Sequence, residues 1–452
     1  MSGLAELLVR QGHTVSGSDM ALNANTARLE SLGVRIFQGH RPEHLGAAQI
    51  VVYSTAVKED NPELQAARTQ GRQVWRRGEL LARLMEGHYQ IAVTGAHGKT
   101  STTAMTAAIL RAGGLNPTVL VGAVWHTLGS NAILGGGQYF VAEADESDGS
   151  FLLLKPQISV LTNVDREHLD YYQDLNHIKA TFRRYLRQLP SQGIVVVWRD
   201  DPHLSELTQN LPQTLVTYSL NGGAHLRATD IRPEGLGCRY VLWHHDRRLG
   251  EIYLPLTGQH YVLNSLAACG VALSLGLDFA VWRLGLGNLG QIQRRCEVKG
   301  EAVGVMVMDD YGHHPAEIQT TLTALAQAFP GRRLVVAFQP HRYTRTQALL
   351  PDFFPVFGAA DLVFVTEIYS AGEPVIPHLS GRQICEGIRR HGSPEVYFVP
   401  DKETLPDILV RYLRPGDVVL TLGAGDIWRT GEELLKMLKV QGPEKKFFLP
   451  DR

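Results

Sequence analysis

The sequence predicts an α/β protein of three domains, each a mostly parallel sheet with helices on its faces. Short apolar runs typical of strands alternate with longer segments that have the apolar period of helices, as in parallel sheets covered by helices. The 452 residues suffice for roughly two to four domains at about 100–200 residues each. Breaks in the alternation place the domains at residues 1–87, 88–298 and 299–452.

The elements follow in order along the chain. In the first domain we expect a helix at residues 4–11, strands at 14–17 and 50–53, and a helix that begins at Asn61 and Pro62, which are suited to an N-cap and a first turn. In the central domain the expected strands are residues 90–93, 139–142, 158–162 and 194–198, with helices at 100–112 and 262–275 and hairpins at 226–254. After a linker at 287–300, the last domain has expected strands at 303–308, 334–338, 362–366, 396–399 and 418–422.

Composition excludes several classes of function. Lys and Arg number 44 and Asp and Glu 45, so the net charge of −1 argues against binding to nucleic acid or an anionic membrane surface. No apolar run reaches the ~18 residues of a membrane span. The four Cys form no C-x-x-C pair, which favours neither a disulfide framework nor a zinc site. We therefore expect a cytoplasmic protein with no membrane, nucleic-acid or obligate protein partner.

A short glycine loop follows the strand at 90–93. Its sequence is Gly95-Ala96-His97-Gly98-Lys99-Thr100-Ser101, and a helix follows at once. Free backbone N–H groups and the helix dipole at such a junction attract phosphates. Lys99 supplies a positive charge, and Thr100 or Ser101 can ligate Mg²⁺. A glycine loop can be a mere turn, but its place between strand and helix favours an ATP site.

Two polar clusters follow the next strands. Residues 143–148 contain four acids, and residues 163–170 contain three acids and His168. Either cluster could be a solvated loop, and a lone His is more often structural than a ligand. However, ligands bind at the carboxyl ends of strands in open α/β sheets, and a hard cation prefers oxygen ligands. The converging strand ends therefore favour a cation site that includes His168.

Two further clusters lie in the last domain. Residues 309–315 hold two Asp and two His after a strand, and residues 341–345 hold His341, Arg342 and Arg345. Two Arg three residues apart can both face one anion, and the Arg fork suits a carboxylate or a phosphate. The alternative is an ordinary surface charge pair. The pair His244-His245 has no acidic partners at metal spacing and is interpreted as structural.

Together these motifs resemble the Mur ligases of peptidoglycan synthesis, and within them the alanine-adding branch. The resemblance covers nearly the whole chain and rests on residues 54–57, 61–62, 95–103, 143–148, 162–170, 258–260, 264, 309–315 and 339–345. It implies a three-domain ligase: a Rossmann-like first domain that binds the UDP-sugar, a central P-loop domain that binds ATP, and a Rossmann-like last domain that binds the amino acid. In the implied reaction, ATP phosphorylates the lactyl carboxylate of UDP-N-acetylmuramate. The amine of L-alanine then attacks the acyl phosphate, and ADP and phosphate leave.

The resemblance also implies roles for individual residues. Lys99, Glu143 and His168 are the implied catalytic residues, and Thr100, Glu143 and His168 the implied Mg²⁺ ligands. The implied ATP contacts are Gly95, Ala96, His97, Gly98, Lys99, Thr100, Ser101, His260, Asn264, Arg295 and Asp310. The implied substrate contacts are His40, Ser54, His341, Arg342 and Arg345.

Several positions depart from the family pattern. Ala96 and Ser101 stand where Thr is usual, Tyr261 replaces an Asn, Glu167 replaces an Asp, and Phe182 falls where sister ligases have a carbamylated lysine. The glycine fingerprint expected before the first helix is missing. We expect about 20 further residues upstream, because a strand and its turn need that many. The alternative is that the chain begins at Met1 and its first sheet lacks a central strand. In this form the chain should bind UDP-N-acetylmuramate poorly and expose apolar surface near residues 50–53.

Two alternatives remain. A recycling ligase that adds a tripeptide to the same nucleotide-sugar shares the double-His motif but does not resemble this chain at residues 339–345. A decayed ligase that only binds the nucleotide-sugar is disfavoured by the retained Lys99, Glu143 and His168.

Overall fold

The computed structural model describes residues 1–168, 171–392 and 394–441. The chain forms two compact units. The first comprises Met1–Thr229, Val241–Ile252 and Leu263–Gly290, and the second comprises Asp230–Tyr240, Tyr253–Val262 and the chain from Gln291 onward. Boundaries of three domains near residues 87 and 298 stay a prediction. In the described residues, no helix is both long enough and apolar enough to cross a bilayer.

The first unit begins with two small parallel sheets. Its elements are α1 (Ser2–Arg10), β1 (Ser16–Asp19), α2 (Ala24–Ser31), β2 (Arg35–Gln38), β3 (Ile50–Tyr53), α3 (Pro62–Thr69), β4 (Gln73–Arg76) and α4 (Arg77–Met85). β1 pairs with β2, and β3 pairs with β4. The first strand begins at Ser16, because the chain makes a turn at Gly12 and remains irregular beyond the expected start at residue 14. Ile50 is exposed and the rest of β3 half-buried, as expected for that segment.

A ten-stranded sheet follows. Its order is β14-β13-β12-β11-β10-β9-β5-β8-β6-β7. The elements are β5 (Tyr89–Thr94), α5 (Lys99–Ala112), β6 (Thr118–Trp125), β7 (Ser130–Ile133), β8 (Tyr139–Glu143), β9 (Ile158–Leu161), α6 (Leu175–Gln188), β10 (Ile194–Trp198), α7 (Pro202–Leu207), β11 (Thr214–Ser219), β12 (Leu226–Glu234), β13 (Gly237–His244), β14 (Arg247–Leu254), α8 (Gln259–Ser274) and α9 (Phe279–Gly287).

Strand order places the predicted motifs at one edge. β5 lies between β8 and β9 and is parallel to both. All four residues of β9 are buried, as are the last four of β5, which anchors the strand ends in an apolar core. Because carboxyl ends of parallel strands meet at one edge, the loops after β5, β8 and β9 are neighbours there.

The second unit carries a six-stranded sheet of order β15-β16-β20-β17-β18-β19, parallel except for β15. The elements are β15 (Glu297–Ala302), β16 (Val305–Asp310), α10 (Pro315–Ala328), β17 (Leu334–Phe338), α11 (Tyr343–Ala348), β18 (Leu362–Val365), α12 (Gly381–Arg390), β19 (Glu395–Phe398), α13 (Leu405–Tyr412), β20 (Val418–Leu422) and α14 (Trp428–Gln441). The expectation of a linker up to residue 300 is wrong at its end, because residues from Glu297 pair with β16 as an antiparallel edge strand. The predicted α/β class with mostly parallel sheets is confirmed.

Candidate functional site

The loop between β5 and α5 can be formed only with glycine at two places. Gly95 has φ +129°, and a Cβ there would lie 2.2 Å from Thr162 Oγ1. Gly98 has φ +84°, and a Cβ there would lie 2.5 Å from Asn264 Oδ1. Both backbone conformations are ones that side-chain-bearing residues rarely adopt. The two glycines therefore let the loop approach its neighbours closely, and Asn264 lies against it.

A side-chain clamp from the end of β9 holds the loop. Asn163 Oδ1 accepts a hydrogen bond from His97 N at 2.8 Å, and Asn163 Nδ2 donates to His97 O at 3.0 Å. Ala96 N donates to Asn163 O at 3.3 Å, so the Ala96 position takes part through its backbone. The sequence placed Asn163 in a polar cluster but did not identify it as the clamp, since that role depends on the pairing of β5 with β9.

Lys99 lies under the loop with its ammonium group enclosed. Lys99 Nζ donates to Gly95 O at 2.6 Å, to Ala96 O at 3.2 Å and to Glu146 Oε1 at 2.7 Å. Burial by itself lowers the pKa of Lys99, but the negative charges of Glu146 and Asp145 outweigh it and raise the pKa. Lys99 is therefore a fixed positive charge at the amino end of α5.

The predicted metal ligands surround this lysine. Thr100 lies buried in the first turn of α5. Glu143 is the last residue of β8, accepts a hydrogen bond from Gly122 N, and its charge contributes to the raised pKa of Lys99. His168 has φ +56°, and its Nε2 lies 3.5 Å from Glu146 Oε1. The hydroxyl of Thr100 and the carboxylate of Glu143 are oxygen donors of the kind that Mg²⁺ prefers.

Glu146 is the residue of this site that the sequence analysis missed. Its side chain is only 3% exposed, although it lies in a run of acids that could have been a solvated loop. The signal was available in principle, because a buried lysine needs a counter-charge and this acidic run is close to it in the sheet. Nothing in the spacing distinguishes Glu146 from its acidic neighbours.

The second unit brings together the predicted contacts at the end of β16. Asp310 is buried and accepts hydrogen bonds from Cys296 N and Gly312 N, both at 2.8 Å. Burial raises the pKa of Asp310, and the charge of Arg295 opposes that rise. The Arg295 guanidinium lies 5.4 Å from the centre of the Tyr311 ring. Asp310 and Arg295 therefore form one polar cluster.

His260 belongs to the same unit. Its ring packs against that of Tyr261 in a tilted arrangement, with centres 4.0 Å apart and an interplanar angle of 42°. Burial, and then the charge of Arg295, lower the pKa of His260 to about 4. The imidazole is therefore neutral at physiological pH, which suits it to a hydrogen bond with a neutral base. Tyr261, which stands where the resemblance leads us to expect Asn, offers an aromatic ring at this position and not an amide.

The predicted carboxylate contacts lie after β17. His341 stacks parallel to Tyr369 with ring centres 5.6 Å apart, and Arg345 Nη1 lies 3.1 Å from His341 Nδ1. Burial, and then the charge of His313, lower the pKa of His341 to about 3. Arg342 has φ +69°, and its Nη1 lies 4.0 Å from Glu373 Oε1.

Arg294 and Gln339 organise the same edge of that sheet and were missed. Arg294 Nε donates to Asp309 Oδ2 at 2.9 Å, and its Nη1 donates to Gly425 O at 2.9 Å. Gln339 Oε1 accepts from Asp426 N at 3.0 Å. These two side chains hold the glycine loop after β20, and only the three-dimensional strand order reveals the contacts.

The weaker candidates His40 and Ser54 follow β2 and β3. His40 Nδ1 lies 2.9 Å from Ser18 Oγ, which in turn donates to Glu63 Oε2 at 2.8 Å. Ser54 directly follows β3 and is half-buried. Each lies at the carboxyl end of its own two-stranded sheet.

Comparison with protein families gives three matches in order along the chain. The Mur ligase family catalytic domain matches residues 1–89, the Mur ligase middle domain residues 93–272, and the Mur ligase glutamate ligase domain residues 294–425.

Curated proteins match over nearly the full length. UDP-N-acetylmuramate–L-alanine ligase of Syntrophobacter fumaroxidans is 47% identical over 443 residues, 98% of this chain and 94% of that protein. The protein of the same name from Geobacter sp. (strain M21) is also 47% identical, over 97% of this chain and 95% of its own.

Solved structures agree. A UDP-N-acetylmuramate-alanine ligase of Thermotoga maritima superposes with a TM-score of 0.85 at 28% identity, covering 98% of this chain and 97% of that one. A murein peptide ligase of Psychrobacter arcticus superposes with a TM-score of 0.72 at 24% identity, covering 97% of this chain and 96% of that one. At this identity the likeness is one of fold.

Proposed function

This chain belongs to the Mur ligase family, and we propose that it joins L-alanine to UDP-N-acetylmuramate at the expense of ATP. The observation that carries the proposal is 47% identity over 98% of the chain to a ligase of that name. A murein peptide ligase superposes on this chain less closely than the alanine ligase of Thermotoga maritima does, with TM-scores of 0.72 and 0.85. The tripeptide-adding alternative is therefore ranked second. The product is an amide of the lactyl carboxyl group, made for peptidoglycan synthesis.

The ATP phosphates bind at the loop after β5. Its backbone N–H groups and the dipole of the 14-residue helix α5 provide the anion site, and Lys99 adds a full charge. The proposed contacts there are Gly95, Ala96, His97, Gly98, Lys99, Thr100 and Ser101. Asn264 lies against the loop, and His260, Arg295 and Asp310 are the proposed contacts of the second unit to the nucleoside and phosphates.

Mg²⁺ is the proposed metal, held by Thr100, Glu143 and His168. When bound, it neutralises phosphate charge and aligns the transferred group. The enclosure of Lys99 among Glu143, Asp145 and Glu146 is the observation that supports it, since so much negative charge near a single lysine favours a further cation.

The reaction proceeds in two steps that need positioning more than covalent help. A lactyl carboxylate oxygen attacks the γ-phosphorus, the bond to the β–γ bridging oxygen breaks, and ADP leaves. The uncharged amine of L-alanine, having lost a proton to solvent or a base, then attacks the acyl carbon. The carbon–oxygen bond to phosphate breaks and inorganic phosphate leaves. Lys99 stabilises the charge that builds up on the phosphates.

Substrate carboxylates are the proposed ligands of His341, Arg342 and Arg345, and the nucleotide-sugar the proposed ligand of His40 and Ser54. Arg345 is held at His341 and the neutral His341 ring is stacked on Tyr369, which orders that anchor before substrate arrives. We also propose domain boundaries near residues 87 and 298. The compartment we propose is the cytoplasm, where the four buried free cysteines stay reduced.

The test is phosphate release from ATP with UDP-N-acetylmuramate and each of L-alanine, L-serine, glycine and the tripeptide. We expect release that depends on both substrates and is highest with L-alanine. Release that is highest with the tripeptide would favour the recycling ligase. ATP and nucleotide-sugar binding without release under any combination would favour the non-catalytic alternative.

A further inference from the structure

Glu146 is a buried carboxylate to which the chemistry above gives no task. Its Oε1 lies 2.7 Å from Lys99 Nζ and 3.5 Å from His168 Nε2. Its Oε2 is buried and has no hydrogen-bond partner among the described residues. A buried charged oxygen without a partner is costly, so the position of Glu146 is stable chiefly because Lys99 is beside it.

Lys99 has no spare hydrogen-bond donor in this arrangement. An ammonium group has three N–H donors, and the three acceptors here are Gly95 O, Ala96 O and Glu146 Oε1. A phosphate can therefore take a hydrogen bond from Lys99 only if one of these three is given up. The two carbonyls belong to the loop that itself wraps the phosphate, whereas Glu146 belongs to the neighbouring strand end. The bond to Glu146 is the one that can be exchanged without remaking the loop.

We propose that Glu146 is a latch on the phosphate-loop lysine: it holds Lys99 while the site is free and releases it to an incoming nucleotide. The proposal rests on the nucleotide site proposed above. Once released, the carboxylate would lack its cationic partner. A Mg²⁺ held by the proposed ligands His168 and Glu143 would supply one, since His168 Nε2 lies 3.5 Å from Glu146 Oε1. Glu146 therefore makes nucleotide affinity depend on Mg²⁺. It acts through Lys99 and is a positioning residue.

The test is calorimetric titration of the full chain with ADP, in EDTA and again with saturating Mg²⁺. E146Q keeps the shape and a neutral acceptor but removes the competing charge. We expect E146Q to bind ADP about tenfold more tightly than the unmodified chain in EDTA, the scale of one charge-assisted hydrogen bond over a neutral one. The gain in affinity from Mg²⁺ should shrink by a similar factor.

Two controls separate the latch from a general effect of charge. E6Q removes another buried carboxylate of the same unit, 1% exposed and paired with Arg28 away from the loop, and should leave ADP affinity unchanged. In a K99A background, E146Q should no longer change the affinity in EDTA, because the latch acts only through Lys99. E146D shortens the carboxylate and should tighten binding in EDTA by a smaller factor, which serves if E146Q does not fold.

The outcomes are distinct. The latch is overturned if, in EDTA, E146Q binds ADP no more tightly than the unmodified chain does. If E146Q does not fold, the same criterion applies to E146D. The latch is also overturned if E146Q still tightens ADP binding in the K99A background. If the unmodified chain binds no ADP under either condition, the nucleotide site itself is wrong, and the proposed function fails with it.

Discussion

Replacement of Lys99 by Ala should damage activity and stability for separable reasons. Lys99 and Glu146 form an ion pair of 2.7 Å whose side chains are 16% and 3% exposed. Removing one partner of a buried pair costs about 3–5 kcal/mol, because the other charge stays buried. Loss of the positioned charge should lower kcat/KM by about 10²–10³.

The assay pairs urea unfolding with phosphate release for Lys99→Ala and for the double variant Lys99→Ala/Glu146→Gln. The double variant removes the stranded carboxylate, so it should regain most of the stability but none of the activity. Near-normal turnover by Lys99→Ala would refute the phosphate role. An unchanged urea midpoint would refute the buried ion pair, and recovered activity in the double variant would show that Lys99 acts only on the fold.

Three further predictions follow from the site. Glu143→Ala should lower the rate at low Mg²⁺, and raised Mg²⁺ should partly restore the rate; a titration of the rate against Mg²⁺ concentration measures both. Rates equal to those of the unmodified chain at every Mg²⁺ concentration would show that Glu143 is not a metal ligand. Arg342→Ala and Arg345→Ala should each raise KM for UDP-N-acetylmuramate or L-alanine more than KM for ATP. The loss at Arg342 should be smaller than the about 2–5 kcal/mol of a buried pair, because its side chain is 34% exposed. A change confined to KM for ATP would move these residues to the nucleotide site. Gly98→Ala, with φ +84° and a Cβ 2.5 Å from Asn264 Oδ1, should abolish measurable ADP binding in calorimetry; retained affinity would show that the loop tolerates a side chain.

Local pattern was sufficient to predict the phosphate loop. A buried strand, two glycines and a lysine at the start of a helix are contiguous in sequence, and the structure places them as β5, the loop and α5. The order of the strands could be predicted only in general terms. The expectation that the loops after parallel strands meet at one edge was nevertheless enough to place Glu143 and His168 on the same edge as Lys99. The strand order brings these clusters to one edge because each cluster directly follows its own strand.

Contacts between distant segments could not be predicted in the same way. Arg294 lies in a stretch expected to be a linker, yet its side chain reaches the backbone at Gly423 and Gly425. Glu146 differs from the other acids of its loop only in facing Lys99, which depends on how that loop turns after β8. Partners of this kind are set by tertiary packing, which leaves no local sequence pattern.

The central claim is that a carboxylate oxygen of UDP-N-acetylmuramate passes to phosphate before the amide bond forms. The direct measurement uses nucleotide-sugar with heavy oxygen in both positions of its lactyl carboxylate, together with ATP, Mg²⁺ and L-alanine. Mass spectrometry of the released inorganic phosphate should find one heavy oxygen per phosphate. The amide product should be heavier than unlabelled acceptor by one alanine residue and should retain the other heavy oxygen. Unlabelled phosphate alongside product would contradict the acyl-phosphate route, and labelled acceptor recovered unchanged would contradict the ligase itself.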